Sequence, residues 1–150
     1  MSRPHYPYNK NLDTHYTFIS SGKHNIEKVV DFSPTSVKDL YNLGFGDLLP
    51  DGKVDDFSNS NNGDIIKVLA TIVHILKEFT GNYPHIKIIF TGSTQERTAL
   101  YRRILKTHYS DFSKEFVISG LIKIKNEYDE IIFNPDIETE YVAFFIKRII

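Results

Sequence analysis

The sequence predicts an α+β domain: a mostly antiparallel sheet from N- and C-terminal hairpins, with two main helices packed on one face. Three observations carry this. Aromatic and β-branched runs broken by turn residues occur near both ends. Two segments of helical period lie between them. A short apolar run, Lys87-Ile88-Ile89-Phe90, separates those segments and has the character of a central strand. The 150 residues, 41% hydrophobic and 25% charged, are expected to form a single domain, residues 1–150. A chain of this size buries about 68–70% of its unfolded surface and needs no covalent staple.

The elements follow in order. Residues 1–13, with Pro4 and Pro7, read as a flexible arm. Tyr16 to Ile19 and Ile26 to Phe32 flank a polar turn and form the first hairpin. Leu40 to Leu49 reads as a third strand, with Gly44 and Gly46 marking a bulge or a close backbone approach. Asp55 to Gly63 is rich in Asn, Ser and Asp and reads as a loop, with Asn62 or Asp64 capping the next helix. That helix, 64–79, carries Lys67, Thr71, His74 and Glu78 as one thin polar stripe, expected to be its wet edge. A second helix is expected from Thr94 to Phe116, and a second hairpin from Val117 to Lys125 and Tyr128 to Phe133. The apolar segment Glu140 to Ile150 fits either a helix or an edge strand.

Composition excludes several chemistries. There is no cysteine, hence no disulfide and no thiolate metal site. The opening residues lack the apolar stretch of a secretory signal, and the longest apolar stretch, Ile65 to Phe79, is interrupted by charge. A cytoplasmic protein without a membrane span is expected. The net charge is −1, unevenly spread: Asp31 to Asp64 holds seven Asp against two Lys, and Pro84 to Lys125 holds eight Lys/Arg against three acids. Such blocks either pack against one another or leave a basic face for a polyanion. The six histidines are scattered, and no HExxH or GxSxG motif occurs. No catalytic residue, cofactor or metal is nominated.

The candidate site is the junction after Phe90. Ser93 and Glu96 have the spacing of a capping box, which accounts for both structurally. A glycine turn into a helix also exposes backbone N–H groups that suit an anion. Gly92, Ser93, Thr94, Arg97 and Tyr101 are therefore nominated as anion-binding residues. On a helix, Tyr101, Ile104 and His108 fall within about 40° of Arg97, so Arg97 lies on the apolar stripe and needs an acid or a bound anion. Its candidate acidic partners are Asp47, Asp55, Asp56 and Asp64. Arg102, Arg103 and Lys106 point the other way and form an exposed face for nucleic acid.

The segments Phe45-Gly46-Asp47, Asp55-Asp56, Asn61-Asn62 and Asp64, followed by Gly92-Ser93-x-x-x-Arg97-Thr98-x-Leu100-Tyr101-Arg102, resemble an uncharacterised bacterial domain family of about 150 residues. The resemblance runs from Tyr16 to Gly120 and implies a whole domain but no activity. Three functional readings follow. The first is a non-enzymatic module binding a phosphate-bearing ligand, nucleic acid above all. The second is a protein-interaction module of a toxin–antitoxin or defence pair, docking through its C-terminal segment. The third is a metal-dependent nuclease using Asp47, Asp55 and Asp56.

Overall fold

The computed structural model describes residues 4–55, 62–92 and 94–149. The chain divides into two compact units: Met1–Ser33 with Leu43–Tyr83, and Pro34–Asn42 with Pro84–Ile150. The architecture is α+β with a mostly antiparallel strand arrangement, more extensive than the two hairpins alone.

In the first unit, β1 (Tyr8–Leu12), β2 (His15–Ser21) and β3 (Asn25–Pro34) form an antiparallel meander, with Tyr8 opposite Phe18 and Tyr16 opposite Val30. The later residues of β4 (Leu40–Leu48) belong here, paired with the two-residue β5 (Val54–Asp55). Period-two alternation turns Tyr16 and Phe18 inward from β2, and Val30 and Phe32 inward from β3. They meet Ile75, Leu76 and Phe79 of helix α1 (Ile65–Asn82) in the core, where the Phe32 and Phe79 rings stack 4.0 Å apart.

Two expectations about this unit fail together. The opening residues are not a loose arm from Tyr6 onward, and the polar stripe of α1 is not a wet edge. Residues 5–8 lie along that stripe. His5 stacks on His74 at 3.7 Å. The Tyr6 N–H donates to Thr71 Oγ1 at 2.9 Å, and Lys67 Nζ sits 4.4 Å over the Tyr6 ring. Tyr8 donates its hydroxyl to Glu78 at 3.0 Å. Tyr6 is buried, and Thr71 is wholly so. A polar stripe is thus a binding strip for a Tyr/His segment rather than a solvent face. Gly44 is no close approach either: a Cβ there would meet only Asp31 O, at 3.8 Å.

In the second unit, the first residues of β4 run parallel to β6 (Lys87–Phe90). Beyond β6 the order is β9 (Ala143–Arg148), β7 (Phe116–Ile124) and β8 (Glu127–Ile132), all antiparallel. The C-terminal segment is therefore a central strand, neither a helix nor an edge. The second helix is shorter than expected. α2 (Gln95–Thr107) ends where His108 donates its N–H to Ile104 O, and a single turn, α3 (Tyr109–Phe112), leads into β7. Phe112 and Phe116, both within the expected second helix, are buried as the last residue of α3 and the first of β7. Gly120 allows the ring of Tyr141 to lie against its backbone, where a Cβ would be 2.2 Å from the ring.

Candidate anion-binding site

β6 delivers the chain to Thr91 and Gly92, just before α2. Thr91 donates its hydroxyl to Val142 O at 2.6 Å, tying the strand end to the residue before β9. Thr94, not Ser93, is the N-cap: its Oγ1 accepts the Arg97 N–H at 3.3 Å. Its backbone is extended, as a cap requires. Gly92 closes this corner. Its N–H donates to Thr98 Oγ1 at 3.0 Å. An added Cβ would stand 2.4 Å from Thr98 N and 2.5 Å from Arg97 Cβ. Gly92→Ala is therefore expected to cost about 3 kcal/mol, the upper range for overpacking, because backbone rather than a flexible side-chain tip must move. Urea denaturation would measure this; a cost below about 1 kcal/mol would show that the corner gives way freely.

The nominated anion-binding groups are thus partly engaged within the fold. The Gly92 amide serves Thr98, and the Thr94 hydroxyl caps the helix. The Tyr101 ring stands edge-on to Phe90 at 5.5 Å. Arg97 is half-buried, in keeping with its place on the apolar side of α2. Ser93, Asp56 and the side chain of Asp55 lie outside the described residues.

The other acids have evident roles. Lys28 Nζ donates to the Asp47 carboxylate within the first unit, and both side chains are largely buried. Asp55 lies opposite Asp47 in the β4–β5 pairing, which brings the backbones of two nominated acids together. Among the described residues no group of three His, Asp or Glu side chains could hold a metal ion.

Asp64 occupies the cap position of α1 but turns its carboxylate away, accepting the Ser20 and Tyr6 hydroxyls at 2.5 Å each. Burial pushes its pKa up, but those hydrogen bonds, one from its own amide, and the Lys28 charge outweigh this and hold it below the ordinary carboxylate value. A depressed native pKa stabilises the fold above the unfolded value, near pH 4, and that stability is lost as pH falls through the lower native value. Asp64→Asn should accordingly flatten the acid limb of the stability curve below about pH 4. Urea midpoints between pH 2.5 and 5 would check it; parallel curves for variant and wild type would refute it.

The basic residues of α2 are where the structure gathers a site. Gln95, Thr98, Arg102 and Arg103 share one side of the helix and line a cleft of about 340 Å³ with Glu138 and Glu140. The Gln95 amide donates to Glu140. Arg102 is half-buried, against the full exposure that its helical position predicts. Its Nη2 donates to Ile137 O at 3.3 Å, and its Nε is buried without a partner. Arg103 is exposed, as is Lys106 one turn further along. Neither arginine pairs with Glu138 or Glu140, although all four line the cleft. Sequence reading missed Glu138, Glu140 and Gln95 as neighbours of the basic face. The acidic character of the last 25 residues was visible, but nothing local placed that segment beside α2.

His108, on the same helical stripe as Arg97, is buried edge-on to Phe112, at 6.3 Å between ring centres. The Tyr8 hydroxyl is pushed up to about 12 by burial and by Glu78. Neither the lowered Asp64 nor the raised Tyr8 is set to exchange a proton near neutral pH.

No curated protein and no solved structure matches the chain. One family model does, over residues 2–149, which takes in both units and every residue of the cleft. The chain belongs to that family, DUF6934, a family of unknown function.

Proposed function

We propose that the chain is a non-enzymatic module that binds a phosphate-bearing ligand along α2, with nucleic acid as the polyanion that fits. The observation that carries this is that Arg102 and Arg103 share one cleft, and among the described residues no ion pair joins either guanidinium to the carboxylates that line it. Arginine presents a planar fork matched to phosphate oxygens. Lys106 extends the cationic flank by a further turn. Glu138 and Glu140 disfavour deep entry of a polyanion, so contact runs along the Arg103–Lys106 flank and is weak and salt-sensitive. The reading rests on this flank rather than on the Gly92–Arg97 junction, where amide and hydroxyl are used internally. The C-terminal segment, offered by sequence as a docking surface for a partner protein, is interior strand and supports no such reading.

With Arg103 and Lys106 making the contacts, the logarithm of the binding constant should fall with the logarithm of salt with a slope of about −1.5 to −2. Fluorescence anisotropy with single-stranded and duplex oligonucleotides at several salt concentrations measures it. Arg103→Ala and Lys106→Ala should each reduce the slope by about one. No binding at low salt, or a double variant with the wild-type slope, would overturn the proposal.

A further inference from the structure

A second group of cations lies in the second unit, away from the α2 flank. The β6–β9 register sets Lys87 directly opposite Lys147. Side chains paired this way have Cβ atoms about 4.5–5.5 Å apart, and like charges so placed destabilise a sheet. Lys87 has its compensation. Its Nζ donates to both Glu130 oxygens, at 2.8 and 2.7 Å, and lies 4.5 Å over the Phe145 ring. Glu130 is further taken by the Ser119 hydroxyl at 2.6 Å. Among the described residues Lys147, half-buried, forms no ion pair.

Both lysines line a cleft of about 490 Å³ together with Lys38 and His85. Lys38, too, is in no ion pair among the described residues, and Asp39 is 3.8 Å from His85 Nε2. The turn that presents Lys38 is firmly built. Thr35 Oγ1 accepts the Val37 N–H at 3.1 Å and donates to Leu40 O at 2.8 Å. Asp39 is held in the left-handed region at φ 60°, and its carbonyl accepts the Lys87 N–H at 2.8 Å. Aspartate is among the few residues with a Cβ that enter that region readily, which suits it to this turn.

We propose that this cleft binds a phosphate dianion, free or as a small phosphomonoester, between Lys38 and Lys147, with Val37 and Leu40 beside it for an apolar substituent. The Lys38 and Lys147 ammonium groups are compact point charges with rotatable donors, suited to a tetrahedral dianion with several acceptor oxygens. Asp39 and Glu130 line the same cleft and disfavour a long polyanion, and the volume is that of a small-molecule site. The bound dianion relieves the Lys87–Lys147 opposition, which gives the site its driving force.

Thermal melting of the full chain tests this, in sodium phosphate, in glycerol phosphate and in sodium chloride of matched ionic strength. The dianions should raise the wild-type melting temperature by roughly 3 °C or more beyond chloride at saturating concentration. Response to both identifies phosphate itself as the ligand; response to glycerol phosphate alone identifies an ester. Lys147→Gln and Lys38→Gln should each abolish the shift. In chloride, Lys147→Gln should melt no lower than wild type, because it removes a like-charge opposition. Phosphorus NMR line broadening of phosphate gives an independent reading, lost in the exposed-turn variant Lys38→Gln, which leaves the sheet intact. Arg103→Ala/Lys106→Ala should retain the full shift, which separates this site from the α2 flank. An equal shift in chloride and phosphate, or a shift kept in both lysine variants, overturns the proposal.

Discussion

Deleting Glu140 to Ile150 is expected to unfold the second unit outright. The segment supplies β9, which pairs with β6 on one side and β7 on the other, so its loss leaves two strand edges and an open seam. Ile146 stands between Ile88 and Ile118, and Phe144 between Phe90 and Gly120. Phe144 and Ile146 are essentially inaccessible, and Tyr141 and Phe145 are below 10% exposed. Each such side chain contributes about 1.5–3 kcal/mol by burial. Four of them rival the whole stability of a domain, about 5–15 kcal/mol. Phe144→Ala in the full chain isolates the effect and should cost about 3–5 kcal/mol. Circular dichroism and amide exchange read both variants. A truncated chain that melts cooperatively at the wild-type temperature would show that β6 and β7 close without β9.

The same strand shows what the sequence left open. Tyr141 to Ile146 is a continuous apolar run, and such a run carries neither the alternation of a half-buried strand nor the period of a helix. Only knowledge of the neighbouring strands decides it. Turn residues flanked by aromatic and β-branched runs were enough for the β2–β3 and β7–β8 hairpins, which lie where those signals put them. The N-terminal segment was misread for a related reason. Tyr6 and Tyr8 are amphipathic, and their partners Thr71 and Glu78 are polar, so neither side of the contact carries a hydrophobic signal. At the site, helical geometry placed Arg103 and Lys106 outward. It could not reveal that Arg102 is drawn into a cleft by Ile137, because that contact joins residues 35 apart in sequence. The Lys87–Lys147 opposition was invisible for the same cause: it exists only through strand register.

Asp47→Ala is expected to destabilise the first unit by about 1–3 kcal/mol, the cost of taking one partner from a buried charge that still has the Asp64 carboxylate in its field. Lys28 is 5% exposed and stands opposite Phe18 in the β2–β3 register, on the inward face of the sheet. Its ammonium lies 5.8 Å from the Phe45 ring centre and is matched by the Asp47 carboxylate. Lys28→Ala should cost a comparable amount, because it removes the ammonium that donates to the buried Asp47 carboxylate. The double variant Lys28→Met/Asp47→Leu should recover most of the loss, since apolar residues of similar volume need no partner in that setting. Urea denaturation of the wild type, the two alanine variants and Lys28→Ala/Asp47→Ala forms a double-mutant cycle, with a coupling energy well above 1 kcal/mol expected. Additive single effects would mean that each charge finds another partner. The cycle also bears on metal chemistry. If the carboxylate is committed to Lys28, Mg²⁺ should leave the wild-type melting temperature unchanged. A Mg²⁺-dependent rise that Asp47→Asn removes would instead make Asp47 a metal ligand and favour a nuclease reading over a binding module.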